Sequence, residues 1–393
     1  MRVIITGART PFALHMSRLF HTAGHDVLLT DSQLFSLGRF TRMKRKFVRT
    51  TSCRFETEQY GKDIFRLIEE WRADLVVPAC EEVFYLARLF ERAGKSGMLF
   101  APPLGLLAQM HDKARFAEMA NELGAGAGQN FVLADRESVE RFPHNPADFV
   151  FKPVWSRFAS RILIGPNREA LKALHPTPDA PWLAQTRVHG EEFCVYAVAH
   201  HGKLVACSPY RNLMRAGAGT AICYEAVDAP DIVDFCRRFA EKTGWHGQVS
   251  FDFIRSPDGR LVAIECNPRA TSGLSLFHPA DGVVEAITEG TPARPASRGR
   301  LGIKGTILLV GLLGLVGLQP RQPYLNRFFS SRDALKFPGE WSLLHGQAIS
   351  VGEIWLLSLA KKLSILEATT FDMEWNGEGL EAERSAASQA LPV

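Results

Sequence analysis

The chain has no cysteines at C-x-x-C spacing, no apolar run long enough to cross a bilayer, no G-x-G-x-x-G fingerprint and little excess of either charge. Each absence closes a route. Seven cysteines, odd in number and scattered, exclude a disulfide framework and a zinc ribbon, and they fit the reduced thiols of a cytoplasmic protein. A net charge of +4 over 393 residues argues against a partner held by phosphate neutralisation, so no nucleic acid is expected. Arg39, Arg42, Lys44, Arg45, Lys46 and Arg49 form one local basic cluster, read as a solvated loop. The longest apolar stretch, Gly305 to Leu318, falls short of the roughly 20 residues of a spanning helix and contains four glycines. It reads as a buried helix, with peripheral membrane contact as the alternative. Because a strand begins at Arg2, no leader peptide is expected.

What remains is the composition of a globular protein, 46% hydrophobic and 22% charged, long enough for two or three domains. The first hundred residues alternate strand and helix. Val3 to Ile5, Asp26 to Asp31 and Leu75 to Pro78 read as strands, with helices over Phe12 to Ala23, about Asp63 to Arg72, and from Val83, which predicts a doubly wound parallel sheet. Thr6-Gly7-Ala8 and Asp31 sit where a dinucleotide fold would use them, but the glycine spacing is missing. Pro102-Pro103 marks a linker, followed by a helix over Asp112 to Leu123. From Phe149 to Asn267 short strands recur around one helix, Asp231 to Thr243, the pattern of an α+β unit with antiparallel sheet. Thr291 to Arg300 reads as a polar linker to a mostly helical tail, giving units over 1–103, 104–290 and 301–380.

The most informative segment is Phe251 to Arg269. Ser256-Pro257-Asp258-Gly259 supplies a turn between two alternating strands. Val262, Ile264 and Cys266 are expected on the core face, and Ala263, Glu265 and Asn267 on the other. A turn centred on Pro257 and Asp258 sets Asp252 opposite Ala263, on the Glu265 face and roughly 7–8 Å from it along the diagonal; a three-residue loop reverses that parity. Two carboxylates and an amide oxygen converging there suit a hard divalent cation, Mg²⁺ or Mn²⁺, holding a phosphate.

Further pieces fit around this hairpin. Asp112-Lys113 opens a helix, and Phe149-Val150-Phe151-Lys152-Pro153 carries a lysine able to reach phosphate oxygens. Leu183 to Phe193 reads as a strand, a turn at Gly190 and a second strand opening with Glu191 and Glu192. In this order the motifs resemble the ATP-grasp superfamily, most closely its carboxylate–amine ligases and carbamoyl-phosphate-synthase-like members, over roughly residues 1–285. The resemblance implies a pre-ATP-grasp α/β domain, then two α+β lobes clasping ATP, then the helical tail. It implies that Lys113 and Lys152 contact phosphates, that Gln185 to Val188 meet adenine and that Glu192 binds ribose. Asp252, Glu265 and Asn267 become ligands to Mg²⁺, with Glu265 bridging two ions, and Arg269 and Lys152 become catalytic. Pro78, Glu81 and Glu82 match the strand end that faces the acceptor substrate.

The implied reaction phosphorylates a small carboxylate and passes the acyl group to an amine. Arg211 and Arg215, before Gly217-Ala218-Gly219, are candidates for holding the γ-phosphate or the carboxylate. Where relatives carry a glycine-rich lid this chain reads Val154 to Arg161 without glycine, so a regulatory protein with a degenerate nucleotide site is one rival reading. A dinucleotide-dependent oxidoreductase is the other. The helical tail is expected to pack on the lobes, and a homodimer is compatible with the composition.

Overall fold

In the computed structural model the described residues are 1–155, 162–216, 220–295, 299–315, 323–337, 340 and 343–377, apart from the side chains of Thr220, Leu313, Leu315 and Leu344. The first sheet is parallel and built from β1 (Arg2–Ile5), β2 (Asp26–Asp31), β3 (Lys46–Arg49) and β4 (Leu75–Val77), in the order β3-β2-β1-β4. Alternation sorts its side chains. Val3, Ile5, Val27 and Leu29 pack toward α1 (Pro11–Thr22), while Ile4, Leu28 and Val76 pack toward α2 (Thr57–Trp71) and α3 (Glu82–Arg92). The basic cluster read as a loop is corrected here: its last four residues, Lys46 to Arg49, form the edge strand β3. Charged side chains suit an edge that must not recruit another strand.

After α4 (Leu104–His111) and α5 (Lys113–Glu122) comes a four-stranded antiparallel sheet made of β5 (Asn130–Leu133), β6 (Phe149–Pro153), β7 (Leu163–Ile164) and β8 (Trp182–Thr186), ordered β5-β8-β6-β7. Two short helices, α6 (Arg136–Glu140) and α7 (Arg168–Lys172), cover its Phe142 and Phe149 core.

A larger sheet follows, with β9 (Glu191–His200), β10 (Lys203–Ala216), β11 (Thr220–Ala226), β12 (Gly247–Arg255), β13 (Leu261–Asn267), β14 (Arg300–Gly302) and β15 (Arg332–Asp333) in the order β13-β12-β9-β10-β11-β14-β15. One face buries Phe193, Val195, Phe251 and Phe253 against Ile232, Phe235 and Phe239 of α8 (Pro230–Thr243). On the other face Tyr196 and Val198 pack toward α9 (Val283–Glu289) and the first domain. Gly190, before β9, has no room for a side chain: a Cβ there would lie 2.0 Å from the Arg255 carbonyl oxygen.

The tail comprises α10 (Lys304–Leu315), α11 (Tyr324–Ser330), α12 (Leu343–Lys361) and α13 (Ile365–Ala368). It is less separate than its composition suggests, since β14 and β15 extend the large sheet. Its packing on the lobes is only part of the arrangement. Glu340 forms a fully buried ion pair with Arg18 of α1 at 2.6 Å and accepts from the Arg42 amide at 2.8 Å. Asp372 pairs with Arg9 at 2.6 Å, and Trp375 stacks on Phe84 with centroids 4.3 Å apart. The tail therefore straps the first domain. The expectation that protein covers the whole apolar run is also corrected: Ile307 and Val310 are buried, but Leu308, Leu309 and Leu312 are exposed. A helix apolar on every side has only one side against the sheet. Residues 316–318 of that run lie outside the described residues.

Candidate active site at the seam of the two sheets

The β12–β13 hairpin departs from its expected register in a way that makes the site. Its loop is Ser256 to Arg260, closed by Ser256 N–H donating to Arg260 C=O at 3.0 Å, and Arg255 pairs with Leu261. From there Phe253 pairs with Ala263, but a bulge shifts the next pair, so Asp252 stands directly opposite Glu265 rather than Ala263. Ile264 is the extra residue. Had the ladder continued unbroken, Asp252 would face Ile264, and the two carboxylates would point to opposite sides of the sheet. The bulge also breaks the predicted core face, since Ala263 and Cys266 both join the α8 core. The Ile264 carbonyl meanwhile accepts from Lys152 Nζ at 2.8 Å.

Lys152, on β6 of the small sheet, thus reaches across to the large one and also donates to Gln185 Oε1 on β8 at 3.0 Å. Lys113, at the start of α5, sits 3.3 Å from Glu265 Oε1. Its helix is initiated by Asp112, whose side chain accepts from the amides of Ala114 and Arg115 at 2.8 and 3.0 Å. Two cations and two carboxylates from four elements therefore meet where the sheets face each other.

Burial works against the charged form of Lys152, Asp252 and Glu265 alike, and their neighbours decide the outcome. Burial lowers the Lys152 pKa to about 8; Lys113 adds to the drop while Glu265 and Asp252 oppose it. Burial, with the Glu265 charge beside it, lifts Asp252 to about 6. Burial also works against ionised Glu265, but Lys113 and Lys152 outweigh it and hold this carboxyl below its usual range. Asn267 Nδ2 donates to Asp252 Oδ2 at 3.1 Å, and its Oδ1 accepts from Arg269 at 3.0 Å. A divalent cation between Asp252 and Glu265 would offset the repulsion that raises the Asp252 pKa, so the residues fit the metal that their composition suggests.

Arg269 links this cluster to the first domain, with Nε 3.6 Å from Glu81 Oε1, while the Trp375 amide donates to Glu81 Oε2 at 3.2 Å. Glu82 turns the other way. It accepts from Thr6 Oγ1 at 2.7 Å and from the amides of Ala79 and Cys80 at 2.9 and 3.1 Å, tying the β1 and β4 turns together. Gly7, at φ +67°, makes room for it: a Cβ there would approach Glu82 Oε1 to 2.9 Å.

Gln185 is buried beside Lys152, and Val188 lies in the connector from the small sheet to β9. Glu192 is half exposed at the start of β9, on the face shared by Cys194 and Asp252, and it pairs with Arg215. Arg211 does not join the cluster. Tyr210 pairs with Cys194 and so shares the acid face; Arg211, one residue on, lies on the α8 side, paired with Glu191 at 2.9 Å and with Glu225. Sequence reasoning missed Cys194, whose thiol hydrogen-bonds Asp252, and Asn212, which donates to Cys194 Sγ at 3.4 Å. Pairing across β12, β9 and β10 gathers them, and no local motif announces it. Ser156 to Arg161 of the lid and Gly217 to Gly219 lie outside the described residues.

The crevice a dinucleotide would use is closed off. Asp31 is held by Arg9 at 2.5 Å, and Met373 of the tail lines the space beside Gly7 and Asp31.

Residues 112–273 match the ATP-grasp domain family. Among solved structures the chain is similar to phosphoribosylamine–glycine ligase of Thermotoga maritima (16% identity, TM-score 0.57, covering 76% of this chain and 78% of that one). It is likewise similar to N5-carboxyaminoimidazole synthetase of Staphylococcus aureus (10%, 0.56, 74% and 78%). A third is the biotin carboxylase domain of Hydrogenobacter thermophilus 2-oxoglutarate carboxylase, solved with MgADP, ADP and bicarbonate (17%, 0.55, 69% and 64%). The chain spans 64% of that domain's chain, and at these identities the likeness is one of fold. No protein of curated function matches the chain in sequence. The cation and acid cluster at the seam of the two facing sheets lies within the matched region, so residues 112–273 of this chain are similar to the ATP-grasp domain in sequence as well as in fold.

Proposed function

We propose that the protein is an ATP-dependent, ADP-forming ligase that activates a small carboxylate as its acyl phosphate and transfers the acyl group to an amine. One observation carries this reading: Lys152 and Lys113 converge with Asp252 and Glu265 at the seam of the two sheets, a charge pattern suited to a metal-bound triphosphate. Lys152 and Lys113 neutralise charge on the phosphates, and Lys152, buried and held by two acceptors, is positioned before nucleotide arrives. Gln185 to Val188, where the chain passes between the sheets, offers backbone groups to adenine, and Glu192 accepts from ribose hydroxyls. Asp252, Glu265 and Asn267 would hold Mg²⁺ or Mn²⁺, which supplies charge neutralisation to the phosphates when bound.

Arg269, beside Glu81 and the crevice lined by Pro78, Phe100 and Gln248, holds the carboxylate against the γ-phosphate. A carboxylate oxygen attacks phosphorus and ADP leaves; the amine then attacks the acyl carbon, phosphate leaves, and the amine loses a proton. Arg211 has no part in these steps, because its side chain belongs to the opposite face. Release of ADP in a screen of carboxylates with mixed amines, with and without Mg²⁺, tests the reading. ADP that appears only with Mg²⁺ and a carboxylate supports the ligase. ATP bound without turnover across the screen would favour the regulatory alternative, and NAD(P)H binding would favour the oxidoreductase.

A further inference from the structure

The tail helices show apolar side chains to solvent. Along α12 the residues His345, Ala348, Ile349, Trp355, Leu356 and Leu359 are exposed and fall on one side at spacings of three and four. Three of its polar residues turn inward: Ser350 and Ser358 are buried, and Glu353 accepts from the amides of Leu34 and Phe35 at 2.9 and 2.7 Å. Helix α10 is apolar on both sides. Ile307 and Val310 face the sheet while Leu308, Leu309 and Leu312 face out. On α11 Leu325 and Phe329 are exposed as well, and the exposure of these leucines, isoleucine, tryptophan and phenylalanine runs from 45% to 78%. The helices belong together. Gly311 and Gly314 of α10 admit Tyr324 of α11, and Gly305 lies close to Gln347 of α12.

A surface helix in water normally shows a polar face to solvent, and here neighbouring helices show apolar residues instead. Apolar surface of this extent is normally covered by a partner. Charge indicates which kind. The sequences of α10, α11 and α12 contain Lys304, Arg327 and Lys361, with Lys362 directly after, against one carboxylate, Glu353, which is occupied by the two amides. Basic residues beside leucine, phenylalanine and a half-exposed tryptophan match the chemistry of a bilayer surface with anionic headgroups. No helix among the described residues is long and apolar enough to cross a membrane, so the helices would lie in the interface rather than span it.

We infer that the outward faces of α10, α11 and α12 form a docking surface for anionic lipid bilayers, holding the ATP-grasp lobes at a membrane. The test is flotation of the full chain with vesicles of phosphatidylcholine alone and of phosphatidylcholine mixed with phosphatidylglycerol. The expected result is flotation with the anionic vesicles, weakened by salt. Leu312→Glu with Leu356→Glu should lower the partition coefficient about tenfold or more, and Lys361→Glu with Lys362→Glu should lower it chiefly for anionic vesicles. All four positions are exposed, and retained Mg²⁺-dependent ATP binding in both variants shows that the fold is intact. Flotation that ignores lipid charge, or that survives the leucine substitutions, overturns the inference. So does an absence of flotation accompanied by a dimer, seen in sedimentation velocity, that the leucine substitutions dissociate, because the surface would then be covered by a second copy of this chain.

Discussion

The strained ionisation of the seam makes a prediction about protons. Lys152 has its pKa lowered by burial to about 8, so in the free protein it is about half neutral at pH 8. Phosphate oxygens beside the amine restore its charge. Binding of ATP at pH 8 should therefore take up about half a proton per nucleotide, read as the slope of the calorimetric enthalpy against buffer ionisation enthalpy. Asp252 gives the opposite sign. At pH 6 its carboxyl is about half protonated, and binding of MgATP there should release about half a proton from this group. Lys152→Met should remove the uptake at pH 8 from whatever binding remains, and Asp252→Asn should remove the release at pH 6. The same shift sets a stability window. Because the unfolded lysine, near 10.5, binds more protons than the folded one, stability of the free protein should rise with pH from about 8 to 10.5, by at most about 3 kcal/mol. An uptake at pH 8 that is absent in the wild type, or that persists in Lys152→Met, would refute the placement of Lys152 on the phosphates.

Other outcomes follow from particular contacts. Glu340→Ala strands the fully buried Arg18 guanidinium and should cost about 3–5 kcal/mol in urea unfolding, an effect that an exposed pair such as Arg92–Glu58 should not match. Trp375→Ala removes the stack on Phe84 and should destabilise by about 3–5 kcal/mol in the same assay; a change under about 1 kcal/mol would mean that the strap does not hold the first domain. Glu192→Gln should weaken ATP binding by about 1–3 kcal/mol while Arg211→Ala leaves it unchanged, and an equal loss in both would contradict the division of the two residues between the sheet faces.

Much of this fold is legible in the sequence because apolar periodicity and turn residues are local signals. Asp26 to Asp31, the helix after Pro230 and Phe149 to Pro153 fall where alternation and helix-start chemistry put them. Register is harder to read. The five-residue loop and the bulge at Ile264 together decide that Asp252 faces Glu265, and neither has a composition that separates it from a tight turn on straight strands. Lys46 to Arg49 was hidden by its charges, which disguise an edge strand as a loop. Arg211 shows the limit of motif order, since a difference of one residue in strand parity moves it to the far face. The outward apolar face of the tail is illegible for a related reason. Apolar residues nearly encircle α10 and α12, so the pattern does not say which side has a neighbour.

The central claim is that the seam between the sheets binds MgATP through Asp252, Glu265 and the two lysines. Affinity for ATP, measured by calorimetry with Mg²⁺ and with excess chelator, in the wild type and in Glu265→Gln, tests it most directly. The account predicts one nucleotide per chain, bound about tenfold or more tighter with Mg²⁺ in the wild type, and no such gain in Glu265→Gln. An affinity that is indifferent to Mg²⁺, or a gain that survives unchanged in a folded Glu265→Gln protein, would contradict it.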